Sequence, residues 1–251
     1  MATARPRERA RRGRTARRPL RIAVAQPRCV PRDVRANGAI HAQVVHDAGA
    51  RLVVFPELSL TGYELEAAPV DPEGAALGPL AQACGDAGSI ALVGAPIAGP
   101  GGREFIAMLA VNASGAVVLY RKRWLGQEES IRFSPGDEPA VLEVDGWRIG
   151  VGICKDTGIP EHVERLAELE IDAYCAGLVH LPEELDQQED RALSIALRCQ
   201  AFVAFASFAG PTGSGYSKTA GSSGIWSPTG EALARAGTVA GEHASATLGS
   251  S

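Results

Sequence analysis

Strand and helix signals alternate through the first hundred residues and give way to hairpins, an order that predicts a layered α/β domain with helices covering a mixed sheet system. Three observations carry this. Short continuous apolar runs such as Arg51-Leu-Val-Val-Phe55 read as fully buried strands. The stretches between them place apolar residues at helical spacing. Later strand pairs are joined by turn sequences such as Asp145-Gly146. The 251-residue length fits one large domain, expected over residues 20–251.

Taken in order, Leu20 to Gln26 predicts a strand, and Arg32 to about Gly49 a helix with Val34, Ile40, Val44 and Ala48 near one face. The strand Arg51 to Phe55 ends at Pro56-Glu57. A helix from about Glu73 to Ala87 precedes the strand Ile90 to Pro96 and the turn Gly99 to Gly102. Phe105 to Val111 and Ala116 to Tyr120 form a hairpin around Ser114-Gly115, ending at Arg121-Lys122. After the loop Gly126 to Pro139, a second hairpin joins Ala140 to Val144 with Trp147 to Ile153 and leads into Cys154. Pro160 opens a short helix, followed by the strand Ile171 to Ala176, a long helix from about Glu183 to Gln200 and the strand Phe202 to Phe208. The Gly-rich loop Gly210 to Gly221 precedes a last hairpin, Gly224 to Ser227 and Glu231 to Ala234. No internal sequence repeat is visible.

Composition narrows the class. Hydrophobic residues make up 45% and charged residues 22%, and no apolar run approaches the ~20 residues of a membrane span. Residues 1–19 carry eight arginines and Glu8, so the net charge of −4 divides into +7 in this tail and −11 in the remainder. With no apolar side chain larger than alanine between Met1 and Leu20 apart from prolines, the tail is expected to be disordered. No apolar export segment follows it, and a nucleic-acid partner is not expected. The five cysteines, Cys29, Cys84, Cys154, Cys175 and Cys199, form no CxxC pair, which points to a reducing, cytoplasmic setting. His41, His46, His162, His180 and His243 are scattered, so neither metal nor cofactor is expected.

Three expected strands run into a residue that can do chemistry: Glu57, Lys122 and Cys154. The chain has only three lysines, Lys122, Lys155 and Lys218, against 22 arginines, so a lysine at a strand end is informative. Together the three residues are the parts of covalent amide hydrolysis. A carboxylate takes the thiol proton and later activates water, an ammonium stabilises an oxyanion, and a thiolate attacks the carbonyl.

The stretches Arg51-Leu-Val-Val-Phe-Pro-Glu57-Leu-Ser-Leu-Thr-Gly-Tyr63, Tyr120-Arg-Lys122-Arg-Trp-Leu125 and Gly150-Val-Gly-Ile-Cys154-Lys-Asp156 resemble the three motifs of the nitrilase superfamily, the carbon-nitrogen hydrolases. Glu129 through Gly136 and Gly221 through Gly230 add to the likeness, which covers about residues 20 to 235. The resemblance implies a four-layer α-β-β-α sandwich that pairs with at least one further copy, as a dimer or larger homo-oligomer. It implies Glu57 as general base and acid, Lys122 as the oxyanion-stabilising cation, Cys154 as nucleophile and Glu129 as a supporting carboxylate. The backbone N–H of Lys155 would complete the oxyanion hole. The implied substrate is a small linear amide, with an N-carbamoyl compound or a nitrile as alternatives.

Some positions depart from the family. Lys155 and Asp156 follow the nucleophile where an aromatic residue and a glutamate are frequent, which favours amides over nitriles and offers Lys155 to an acidic substrate. Ile106 stands where asparagine is often found. Three rival readings are open on sequence: a Ser/Ser/Lys amidase using Gly221-Ser-Ser-Gly224, a Cys-His hydrolase using His162 or His180, and a non-catalytic binding protein. Asp156 is expected to fix the turn after Cys154, Glu57 could instead cap a helix, Glu129 could pair with an arginine, and Lys218 is expected to be solvated.

Overall fold

The computed structural model describes residues 17–249. In chain order its strands are β1 (Leu20–Gln26), β2 (Leu52–Val54), β3 (Ile90–Ala98), β4 (Glu104–Asn112), β5 (Gly115–Arg121), β6 (Val141–Val144), β7 (Trp147–Ile153), β8 (Ala173–Leu178), β9 (Phe202–Ser207), β10 (Gly224–Trp226), β11 (Ala232–Arg235) and β12 (Glu242–Leu248). The α-helices are α1 (Val34–Ala48), α2 (Gly78–Ala87), α3 (Pro160–Glu168) and α4 (Leu185–Cys199). Asp33 caps α1 by accepting from the Ala36 N–H, and Gly49 closes it at φ +51°.

Two six-stranded sheets run β12-β1-β2-β3-β4-β5 and β11-β10-β9-β8-β7-β6. The sequence shows no repeat, yet the topology does. In each sheet three parallel strands joined by helices continue into two antiparallel ones, and an antiparallel strand flanks the other edge.

Alternating side chains sort into three apolar layers. Leu20, Ile22 and Val24 of β1 meet Ile149, Val151 and Ile153 of β7 in the cluster between the sheets. Ala23, Val53, Phe55 and Val93 point outward to Val45 of α1 and Leu80 of α2. Tyr174, Leu178 and Phe205 point the other way, to Leu166 of α3 and Ile195 of α4. The result is the expected four-layer α-β-β-α sandwich.

Several boundaries differ from expectation. The strand expected at Ile171 to Ala176 begins at Ala173, because Ile171 packs as a plug against Gly150 before the ladder starts. The helix expected from Glu73 is a 3-10 turn at Ala75–Leu77 followed by α2, with Pro79 in its first turn. The long helix begins at Leu185 behind a 3-10 turn at Pro182–Glu184. β12 was not expected at all; it pairs antiparallel with β1 from Leu20↔Leu248 to Gln26↔Glu242. Of the arginine-rich tail, residues 1–16 lie outside the described residues. Arg17 pairs with Asp172 and lies 4.8 Å over the Trp147 ring, and the Arg18 carbonyl accepts from Trp147 Nε1 at 3.0 Å.

Two glycines let the sheets carry the segment after β2 between them. A Cβ at Gly94 on β3 would lie 2.2 Å from the Leu58 nitrogen, and one at Gly177 on β8 would lie 2.7 Å from the Glu57 nitrogen. The Pro56 to Leu58 segment is therefore threaded through a space that only glycine leaves open.

Candidate active site

Glu57 leaves the end of β2 in a turn in which Leu58 adopts φ +52°. The Ser59 hydroxyl accepts from the Gly94 N–H at 3.2 Å, and the Leu60 N–H donates to the Gly94 carbonyl at 3.0 Å, which stitches the turn to β3. Lys122, one residue past β5, is held by its own backbone: its N–H donates to the Ile106 carbonyl and its carbonyl accepts from Gly136, both at 2.8 Å. Glu129 opens a 3-10 turn in the following loop. All three side chains are buried.

They meet at the Lys122 ammonium. Nζ donates to Glu57 Oε1 at 2.6 Å and to Glu129 Oε1 at 2.7 Å. A lysine with 1% exposure stays charged only if such partners offset the loss of water. Burial works against its ammonium, but the carboxylates of Glu57 and Glu129 and the nearby Cys154 outweigh it and raise its pKa. The two glutamates differ. Burial pushes Glu57 well above the usual carboxylate range despite Lys122, and its Oε2 has no hydrogen-bond partner. Burial also disfavours the Glu129 carboxylate, but Lys122, the Gly126 N–H at 2.6 Å and the Tyr63 hydroxyl at 2.7 Å together hold it below the usual range. One carboxylate is thus a fully engaged anion, and the other has a raised pKa and a free oxygen.

Cys154 directly follows β7 at φ +41°, a conformation uncommon for a non-glycine residue, and starts a short 3-10 segment, Cys154–Gly158. Asp156 fixes that turn, as expected. It accepts from the Ile153 N–H at 2.9 Å, the Trp124 N–H at 3.1 Å and the Tyr120 hydroxyl at 2.9 Å, tying the Cys154 turn to the Lys122 segment. Burial pushes its carboxyl up to about 6, against the pull of Lys122 and these bonds. The half-buried Cys154 thiol donates to the Val179 carbonyl at 3.4 Å. Burial raises its pKa, while the Lys122 ammonium and the Val179 contact lower it. Glu57, Lys122, Glu129 and Cys154 thus act on one another electrostatically.

The remaining candidates are placed elsewhere. Lys155 is exposed, and its ammonium donates to the Leu125 carbonyl at 2.6 Å. His162 faces the Tyr174 hydroxyl, and His180 faces Gln188 and Arg191, so the ring nitrogens of neither meet the thiol. Ser223 spans β9 and β10 by accepting from the Ser207 N–H and donating to its carbonyl. Lys218 is exposed, and Cys84, Cys175 and Cys199 are buried. Ile106 is buried between the sheets. Among the described residues no cluster of side chains could hold a metal ion, and no helix is long and apolar enough to cross a membrane.

Sequence reasoning assigned no role to Tyr63, Gly126 or the Val179 carbonyl. Tyr63 stood in the motif that contains Glu57, six residues on, and was the one signal available. Its ring packs edge-on against Tyr216 at 5.1 Å, so the Gly-rich loop lies against the site.

Residues 21–249 match the carbon-nitrogen hydrolase family. A hydrolase of Mycobacterium tuberculosis is 32% identical over 241 residues, covering 87% of this chain and 86% of that protein. The structure of an amidase from Nesterenkonia sp. AN1 in complex with butyramide superposes with a TM-score of 0.80 at 25% identity, over 92% of this chain and 91% of the other. Nit3 of Saccharomyces cerevisiae, a member of branch 10 of the nitrilase superfamily, shares the fold with a TM-score of 0.82 at 22% identity, over 93% and 91% of the two chains. A match over nearly the whole described chain, together with these likenesses, makes this protein a member of the carbon-nitrogen hydrolase family.

Proposed function

We propose that this enzyme hydrolyses the C–N bond of a small linear amide through a thioester on Cys154. The observation that carries this is the Lys122 ammonium held at 2.6 and 2.7 Å by Glu57 and Glu129, with one Glu57 oxygen unpartnered and the same charges acting on the Cys154 thiol. Glu57 Oε2 takes the thiol proton as sulfur attacks the amide carbonyl. Lys122 and the Lys155 N–H meet the developing oxyanion. Glu57 returns the proton to the leaving nitrogen, and ammonia or an amine departs. Water, deprotonated by Glu57, then attacks the thioester, and sulfur leaves to regain its proton. Glu129 holds Lys122 in place and stays ionised throughout.

The elevated pKa of Glu57 supports its use as a base that must also serve as an acid. The butyramide complex of the Nesterenkonia amidase supports a short neutral amide. N-carbamoyl compounds remain the alternative class. Exposed Leu193 and Leu197, one turn apart on α4, support assembly into a homo-oligomer, and five free cysteines support a reducing cytoplasmic setting. The test is ammonia release from a panel of linear primary amides, N-carbamoyl compounds and nitriles, with Cys154→Ala as control. Turnover of short amides that vanishes in Cys154→Ala supports the proposal; equal turnover by the variant refutes it.

A further inference from the structure

The turn that carries Cys154 is braced from behind by a chain of hydrogen bonds with Arg191 of α4 at its centre. Thr157 Oγ1 donates to the Cys154 carbonyl at 2.6 Å. Arg191 Nη1 approaches both that hydroxyl and His180 Nε2, each at 3.4 Å. A guanidinium only donates, so His180 accepts at Nε2 and carries its proton on Nδ1. That proton is directed at Gln188 Oε1, 3.2 Å away, and Gln188 Nε2 donates in turn to the Ser222 carbonyl at 3.2 Å. His180 directly follows Val179, whose carbonyl accepts from the Cys154 thiol. The chain therefore restrains both backbone carbonyls next to the sulfur, one through Thr157 and the other through His180.

Gly158, which has no side chain, leaves open the space that the guanidinium occupies. A Cβ there would lie 2.9 Å from Arg191 Cζ, Nε and Nη2. Gly158 is not among the residues with positive φ, so the backbone does not demand glycine at this position; a side chain there would push the guanidinium, the movable end of Arg191, out of its present place. Cys154 itself sits at a costly φ of +41°, a conformation that persists only where the surroundings over-determine it.

We propose that Arg191 is a positioning residue for Cys154: it braces the Cys154–Gly158 turn in its strained conformation and places a positive charge that favours the thiolate. This rests on Cys154 being the nucleophile. Burial disfavours the thiolate; the Lys122 ammonium works against it most, and the Arg191 guanidinium adds a smaller contribution of the same sign. The outer edge of Arg191 lines a groove of about 470 Å³ beside α3 and α4, shared with Glu164, Asp190 and Arg198. A shorter side chain at 191 therefore opens onto solvent and leaves no sealed void.

The experiment follows alkylation of Cys154 by iodoacetamide from acid to alkaline pH, read on the Cys154 peptide by mass spectrometry, beside kinetics on the best linear amide of the panel. Arg191→Gln and Gly158→Ala raise the alkylation midpoint by about one pH unit and lower kcat about tenfold, with KM changed less than about twofold. Arg191→Lys keeps the charge and restores the midpoint. Thr157→Val lowers kcat without moving the midpoint. If Arg191→Gln fails to fold, Gly158→Ala and Arg191→Lys carry the test. A wild-type midpoint in both Arg191→Gln and Gly158→Ala, whether or not kcat falls, overturns the proposal, because a merely structural prop would leave the thiol unchanged. Amide turnover by Cys154→Ala overturns the nucleophile assignment instead, and the two failures are read from different variants.

Discussion

Glu57→Gln should separate activity from stability. In the native site two carboxylates share one ammonium, at 2.6 and 2.7 Å, and when both are ionised the buried cluster carries one excess negative charge. The glutamine keeps an oxygen for Lys122 and leaves a neutral Lys122–Glu129 pair. Weakening one charge-assisted hydrogen bond costs about 1.5–3 kcal/mol. Removing a second buried carboxylate, with its desolvation and its repulsion of Glu129, offsets that by an amount of similar size. The net change in stability is about 1 kcal/mol or less, a melting shift of no more than about 4 °C in a domain of this size. Activity behaves differently. Loss of the base that takes the thiol proton lowers kcat by about 10²–10⁴, or ~3–5 kcal/mol of barrier. Steady-state ammonia release and thermal melts on the same preparations measure both. A variant that keeps kcat within about tenfold of wild type removes Glu57 from the chemistry, and one that melts far lower makes Glu57 a structural counter-ion of Lys122.

Glu129→Gln should behave in the opposite way: both of its oxygens are occupied by donors from Tyr63, Lys122 and Gly126, so the amide nitrogen must face a donor. Denaturant titration should show a loss of about 1–3 kcal/mol together with reduced kcat. Gly94→Ala drives a Cβ to 2.2 Å from the Leu58 nitrogen, and calorimetry should show at least ~1–3 kcal/mol of destabilisation, with activity lost beyond the unfolded fraction because the Glu57 turn must move. His41 is fully buried against the Phe55 ring at 4.1 Å, neither ring nitrogen has a partner, and burial pushes its pKa down to about 3. The unfolded chain therefore binds a proton that the folded chain refuses. This contribution to stability is intact above pH ~6.5 and falls as pH drops from there toward 3, by up to about 5 kcal/mol. Denaturant titrations at descending pH should show a shallower acid loss in His41→Met than in wild type; parallel curves would refute the assignment.

The sandwich was legible because its inner strands are continuous apolar runs and its turns are marked by Gly, Pro and Asp-Gly, signals that local chemistry imposes. β12 escaped because Glu242-His-Ala-Ser-Ala-Thr-Leu248 offers alanines and one leucine, too little apolar contrast, and its strand character comes from pairing with β1 some two hundred residues away. Ile171 misled for the reverse reason: an apolar residue next to a strand filled a hole left by Gly150. At the site, Glu57, Lys122 and Cys154 stood out as reactive residues at strand ends. Glu129, seven residues on, was expected beside Lys122 or the substrate; that Lys122 would also meet Glu57, that Glu57 would keep an open oxygen, and that Arg191 would reach the Cys154 turn depend on contacts between segments far apart in sequence, which no local pattern encodes.

The most direct test of covalent hydrolysis at Cys154 is to quench the enzyme during amide turnover and map acylation by peptide mass spectrometry. The account predicts one acyl group, in place of the thiol hydrogen, on the peptide containing Cys154, and neither adduct nor turnover in Cys154→Ala. Turnover that continues with Cys154 unmodified in every quenched sample, or an adduct on Ser222 or Ser223, would contradict it.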